Sequence, residues 1–76
     1  MDRVFEILRN TFPTVNFEDG HNLISGGKID SLGIITIVMT LGDVYNITFE
    51  PDDISIDNFN SVENIWGLIK KKKPDA

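Results

Sequence analysis

The sequence contains no cysteine, one histidine, one tryptophan and three prolines in 76 residues. Without cysteine the chain can form no disulfide and no thiolate zinc site, and it has no thiol of its own. A catalytic or metal role for the single histidine would need convergent partners, and no cysteine exists to pair with it. His21 therefore reads as a solvated loop residue. Long apolar runs are also missing. The longest, Ile37-Val38-Met39, is three residues, against the ~20 needed to cross a bilayer, so no membrane span is expected. Met1-Asp2-Arg3 lacks the charged-then-apolar pattern of a signal peptide, and the expected compartment is the cytoplasm.

Basic residues are few: seven Lys and Arg face twelve Asp and Glu, for a net charge of −5. Four of the seven form the run Lys70 to Lys73, so residues 1–69 hold three bases and eleven acids, a net −8. That balance argues against nucleic-acid binding, which depends on neutralising phosphates with Lys and Arg. Basic surfaces are the natural partners. Hydrophobic residues make up 41% and charged residues 25%, as in an ordinary soluble domain. The length permits one domain, 1–76, and a chain this short buries only about 60% of its unfolded surface. A deep catalytic cleft is hard to fit beside so small a core, which argues against a self-sufficient enzyme. Monomer is the default state.

The apolar pattern is helical. Val4, Phe5, Leu8 and Phe12 recur at three- and four-residue steps with Ile7 adjacent, which predicts a helix over 2–12 with Asp2 as its N-cap and Pro13 as its stop. Residues 13–30 turn polar, with Asp19-Gly20 and Gly26-Gly27 as turn signals. Eighteen residues is long for a connection, and Phe17, Leu23, Ile24 and Ile29 imply that it packs down onto the bundle.

Residues 31–45 pose the main ambiguity. Ile34 to Val38 is rich in β-branched residues and read alone favours a strand, giving an α+β alternative with 34–39 extended. The apolar positions do not alternate, however. Leu32, Ile35 and Met39 form one helical row, and Ile34, Val38, Leu41 and Tyr45 form another. Gly33, Thr36, Thr40 and Asp43 align on a narrow polar stripe. No partner strand is evident, so a largely buried helix is expected. Its near-continuous apolar coat reads as core. The alternative is a patch or pocket beside Ser31 that shelters an acyl chain or meets a neutral partner surface.

Asn46 is expected to end that helix, with Ile47 to Phe49 extended. Pro51 suits the start of a short helix over 51–58, with a further turn at Ser55 to Asn58 that points Phe59 inward. Asp52, Asp53 and Asp57 lack the EF-hand spacing and its closing Glu, and read as helix-capping charges. The last helix is expected over 61–71. Asn60 and Glu63 have capping-box spacing, and Val62, Ile65, Trp66 and Ile69 form its apolar face, with Trp66 mostly buried. Lys70 to Lys73 read as a solvated tail that offsets the helix dipole. The expected architecture is all-α, a small irregular four-helix bundle of three main helices and one short one.

The informative chemistry is Asp30-Ser31, between a glycine-bearing loop and a helix. An Asp at the N-cap satisfies free amide donors, and Ser31 then falls on an exposed first turn. A phosphate on its hydroxyl would face the positive end of the helix dipole and free N–H groups. The bland alternative is an ordinary polar residue at a helix start.

Gly27-Lys28-Ile29-Asp30-Ser31-Leu32-Gly33 resembles the attachment motif of the acyl carrier protein family, whose core is Asp-Ser-Leu. Val38-Met39-Thr40-Leu41 and Asp43-Val44-Tyr45-Asn46-Ile47 resemble that family's second helix and its exit. Asp57-Asn58-Phe59-Asn60-Ser61-Val62 resembles the start of its last helix. The similarity runs in register over residues 23–70. It implies a 4′-phosphopantetheine arm on Ser31, with Asp30 and Leu32 as motif neighbours, added from coenzyme A by a phosphopantetheinyl transferase. The arm would supply the thiol that the chain lacks, and would carry an acyl or aminoacyl group as a thioester from a loading enzyme to downstream acyl-processing enzymes. Fatty-acid-synthesis members usually show Leu-Gly-Ala before Asp-Ser-Leu and a second helix studded with acids. Here Gly27-Lys28-Ile29 stands before the motif, and the helix keeps only Asp43. The form is closer to D-alanyl carriers and to stand-alone carriers of specialised polyketide or peptide pathways. The alternative from another class is a carrier-like interaction module that acts unmodified.

Overall fold

The computed structural model describes residues 2–17, 20 and 22–76. Four α-helices form: α1 (Asp2–Thr11), α2 (Ser31–Tyr45), α3 (Ile56–Phe59) and α4 (Val62–Lys72), with a 3₁₀ turn at Pro51–Asp53. The all-α architecture is the one the periodicity predicts. Residues 34–39 lie inside α2, and no strand occurs among the described residues. His21 and the Asp19 half of the Asp19-Gly20 turn signal lie outside the described residues.

One core joins all four helices and the long loop. α1 contributes Val4, Ile7 and Leu8; the loop contributes Phe17, Leu23 and Ile29. From α2 come Ile37 and Leu41, from α3 Phe59, and from α4 Val62, Ile65, Leu68 and Ile69. Each such side chain stabilises the fold by about 1.5–3 kcal/mol relative to leaving it in water. The 13–30 segment packs down as its apolar residues imply, with Ile24 partly buried beside them.

Asn60 ties this loop to the α3–α4 junction. Its side-chain oxygen accepts from the N–H groups of Ile24 at 2.9 Å and Ser25 at 3.0 Å, and its carbonyl accepts from Leu23 N–H at 2.8 Å. The expected Asn60–Glu63 capping box therefore does not form. Ser61 caps α4 instead, its hydroxyl accepting from Asn64 N–H at 3.0 Å, and the helix begins at Val62 and ends at Lys72. At the other end of the chain, Asp2 is the first helical residue of α1 rather than its cap. α1 stops at Thr11, one residue short of the expected end.

The short helix expected over 51–58 is two pieces. Asp53 turns back to accept from Glu50 N–H at 2.6 Å, and Ile54 leaves helical geometry at φ −86°, ψ 88°. Ser55 then caps α3 and Phe59 points inward, fully buried. The lysine run is more than a solvated tail. Lys72 pairs with Asp53 at 2.6 Å, and Lys73 donates to the Tyr45 carbonyl at 3.0 Å, at the end of α2. Trp66 is mostly covered, as expected, packed against the core and tilted against Tyr45 with Lys70 over its ring, while Leu68 beside it is buried as well.

Two predictions follow from these ties. Asn60→Ala leaves two loop amides without their acceptor and should cost about 1–3 kcal/mol. Urea unfolding reads the loss, and faster amide exchange at Ile24 localises it; unchanged exchange there would contradict the clamp. The Lys72 side chain and then the Glu50 N–H hold the Asp53 carboxyl below its usual range. A carboxyl depressed in this way adds stability above its unfolded-state pKa, and that contribution is lost as pH falls through the lowered value. Lys72→Met removes the larger of the two causes. Its urea midpoint should lie below wild type at about pH 6 and approach it towards about pH 3; a constant gap would contradict the pairing.

Candidate functional site

The start of α2 is fixed from both sides of the chain. Asp30 sits in extended geometry, at φ −99° and ψ −173°, as the N-cap. Its carboxylate accepts from Gly33 N–H at 2.9 Å, and its carbonyl accepts from Ile34 N–H at 3.0 Å. This is the cap geometry expected of Asp before a helix. Below the same turn, Ile29 is buried at 4% exposure and its N–H bonds to the Leu23 carbonyl.

Gly33 makes the close approach possible. A Cβ built at Gly33 would lie 2.5 Å from Ile29 Cγ2, so only glycine lets the first turn rest on Ile29. The periodicity places Gly33 on a polar stripe facing solvent, but it is buried. The glycine carries no side chain to mark its side of the helix, so sequence spacing could not show that it faces inward.

Ser31 is the first residue of α2 and is exposed. The chain has four serines, and the structure separates them. Ser55 and Ser61 cap α3 and α4, their hydroxyls accepting from Asn58 and Asn64 N–H. Ser25 donates to Asn22 and accepts from Asn60. The Ser31 hydroxyl has no hydrogen-bond partner among the described residues. The first amides of a helix point outward without intrahelical acceptors. An anion on the Ser31 oxygen therefore meets both the positive helix end and unused N–H donors.

Leu32 is 73% exposed, and it begins a row that continues through Ile35 and Met39. The expectation of a largely buried helix is thus corrected. α2 buries only the side bearing Gly33, Ile37 and Leu41, with Ile34, Val38 and Tyr45 partly covered. A helix packed from one side hides one stripe. Because its sequence carries two apolar rows, it did not reveal which of them would be hidden.

Asp52, Asp53 and Asp57 line one groove with Glu63 but form no metal-holding group. Asp53 belongs to the Lys72 pair, and the Asp57 carbonyl accepts from the Asn64 side chain at 2.8 Å. Among the described residues no group of three His, Cys, Asp or Glu is placed to hold a metal ion. Nor is any helix of the described residues long and apolar enough to cross a membrane.

Asp30→Ala should lower stability by about 1 kcal/mol through loss of the cap. Gly33→Ala gains up to about 1 kcal/mol in helix propensity but overpacks Ile29 at about 1–3 kcal/mol. The clash should win, because the contacted methyl is on a stiff, buried, β-branched side chain. Thermal melts by circular dichroism check both, and a more stable Gly33→Ala variant would contradict the tight seat.

No protein family, no curated protein and no solved structure matches the chain.

Proposed function

We propose that this chain is a carrier protein bearing 4′-phosphopantetheine on Ser31, which holds an acyl or aminoacyl group as a thioester and presents it to partner enzymes. The observation that carries the reading is the placement of Ser31: an exposed, uncommitted hydroxyl on the first turn after the Asp30 cap, within a segment that resembles the carrier attachment motif. The residues suit the group. Ser31 would hold it through a phosphodiester, and the positive helix end favours the phosphate's charge. Asp30 and Gly33 keep that turn in place, and Leu32 stands exposed beside the attachment oxygen. Bound there, the arm supplies the thiol that the chain lacks. Its length and mobility raise the local concentration of cargo at a docked active site, of order millimolar for a short flexible tether. The chain itself makes and breaks no bond of the cargo. Its partners are a phosphopantetheinyl transferase, an acyl- or aminoacyl-loading enzyme and downstream acyl-processing enzymes, in the cytoplasm.

A second reading, an interaction module that works unmodified, draws on the apolar row Leu32, Ile35 and Met39. It predicts partner binding indifferent to Ser31→Ala. The carrier reading instead predicts one pantetheinyl addition after incubation with coenzyme A and a broad-specificity transferase, seen by intact mass and abolished by Ser31→Ala. No addition to the wild-type chain would overturn it. Because Leu32 is exposed, Leu32→Ala should change stability by less than about 0.5 kcal/mol yet slow the addition. Paired melting and labelling assays read both, and a fall in melting that matches the fall in labelling would mark Leu32 as structural.

A further inference from the structure

A cleft of about 490 Å³ lies where α1 runs into the long loop, lined by Phe5 and Arg9 from the helix and by Pro13, Val15, Asn16 and Phe17 from the segment after it. No residue of α2 lines it, so it is separate from the Ser31 site. The volume falls within the range of small-molecule sites, roughly 300–1,000 Å³. Its walls are mostly apolar. Phe5 is half-buried, and Phe17 is buried and braced by Phe12, the two ring centroids 6.3 Å apart.

Arg9 is the one cationic side chain in this lining. A basic residue in the last turn of a helix ordinarily answers the terminal carbonyls. Here the side chain reaches back instead. Its Nε donates to the Phe5 carbonyl, one turn earlier, at 3.4 Å, and its guanidinium carbon stands 5.6 Å from the centre of the Phe5 ring. The guanidinium is thus held over an apolar wall, and among the described residues no carboxylate pairs with it.

We infer that this cleft binds a small aromatic monocarboxylate, its ring against Phe5 and Phe17 and its carboxylate on the Arg9 guanidinium. The inference stands apart from the carrier reading and holds whether or not Ser31 is modified. A planar guanidinium matches a carboxylate through two parallel N–H donors. Aromatic walls favour a flat ring over a branched chain. The single positive charge, on a body of net −8 over residues 1–69, balances one negative charge, and a second would meet repulsion without a partner. Because Phe5 already positions Arg9, little side-chain freedom is lost on binding.

The test is an amide-resolved NMR titration of the full chain with naphthoate to about 5 mM, since fragments of this size bind at around 1 mM. Saturable shifts are expected at the amides of Phe5, Arg9, Asn16 and Phe17. Naphthylmethanol keeps the ring and loses the charge, and acetate keeps the charge and loses the ring. Each should bind about tenfold more weakly or worse. Arg9→Gln should weaken naphthoate by a similar factor, and because Arg9 is exposed its melting should stay near wild type. Should that variant unfold, the comparison of the three probes on the wild-type chain decides alone. Equal binding of naphthylmethanol, or of naphthoate to folded Arg9→Gln, overturns the role of Arg9 and with it the proposal. Equal binding of acetate overturns the part played by the apolar walls. Shifts centred on Leu32, Ile35 and Met39, or no shifts over the titration, overturn the site.

Discussion

The contact between Gly33 and Ile29, locked by the Asp30 carboxylate on Gly33 N–H, is the constraint on which the rest of the site depends. It sets where the chain stops being loop and starts being helix, and so which residue occupies the exposed first turn. The constraint does not stand alone. Ile29 is held through the Leu23 carbonyl, Leu23 through the Asn60 carbonyl, and Asn60 sits at the junction of α3 and α4. The loop that leads into Ser31 is therefore tied by successive backbone bonds to the α3–α4 junction.

The opposite end of α2 is secured by different means. Asn46 adopts the left-handed conformation, at φ 55° and ψ 48°, and returns its N–H to the Gly42 carbonyl. Lys73 donates to the Tyr45 carbonyl, and Lys72 joins Asp53 in the preceding turn. Lys73 thus meets the negative end of α2 as well as that of its own helix. Both ends of α2 are tied while its outer face is left bare, which separates what holds the helix in place from what it presents.

The sequence made some of this legible and hid the rest, for identifiable reasons. The helices over 31–45 and around 62–72 could be read because their apolar positions recur at helical steps over three or more turns. The Asp30 cap and the position of Ser31 could be read because capping is chemistry between neighbours. The hidden parts were long-range. Nothing local marks Asn60 as the partner of Leu23, Ile24 and Ser25, so it reads as a helix cap. The inward turn of Gly33 depends on Ile29 approaching from a loop. The lysines read as a tail because their acceptors, Asp53 and the Tyr45 carbonyl, are 19 and 28 positions away in the chain. The exposure of Leu32, Ile35 and Met39 follows from how few elements surround α2, a property of the whole assembly that no window of sequence contains.

Four serines of similar composition and context thus fall into two classes by their hydrogen bonds, three committed to caps and turns and one uncommitted. Fragment-resolved mass spectrometry of the coenzyme A-labelled chain tests this distinction most directly. The account predicts that all of the label lies on the peptide containing Ser31. Label on Ser25, Ser55 or Ser61, or a chain that takes none, would contradict it.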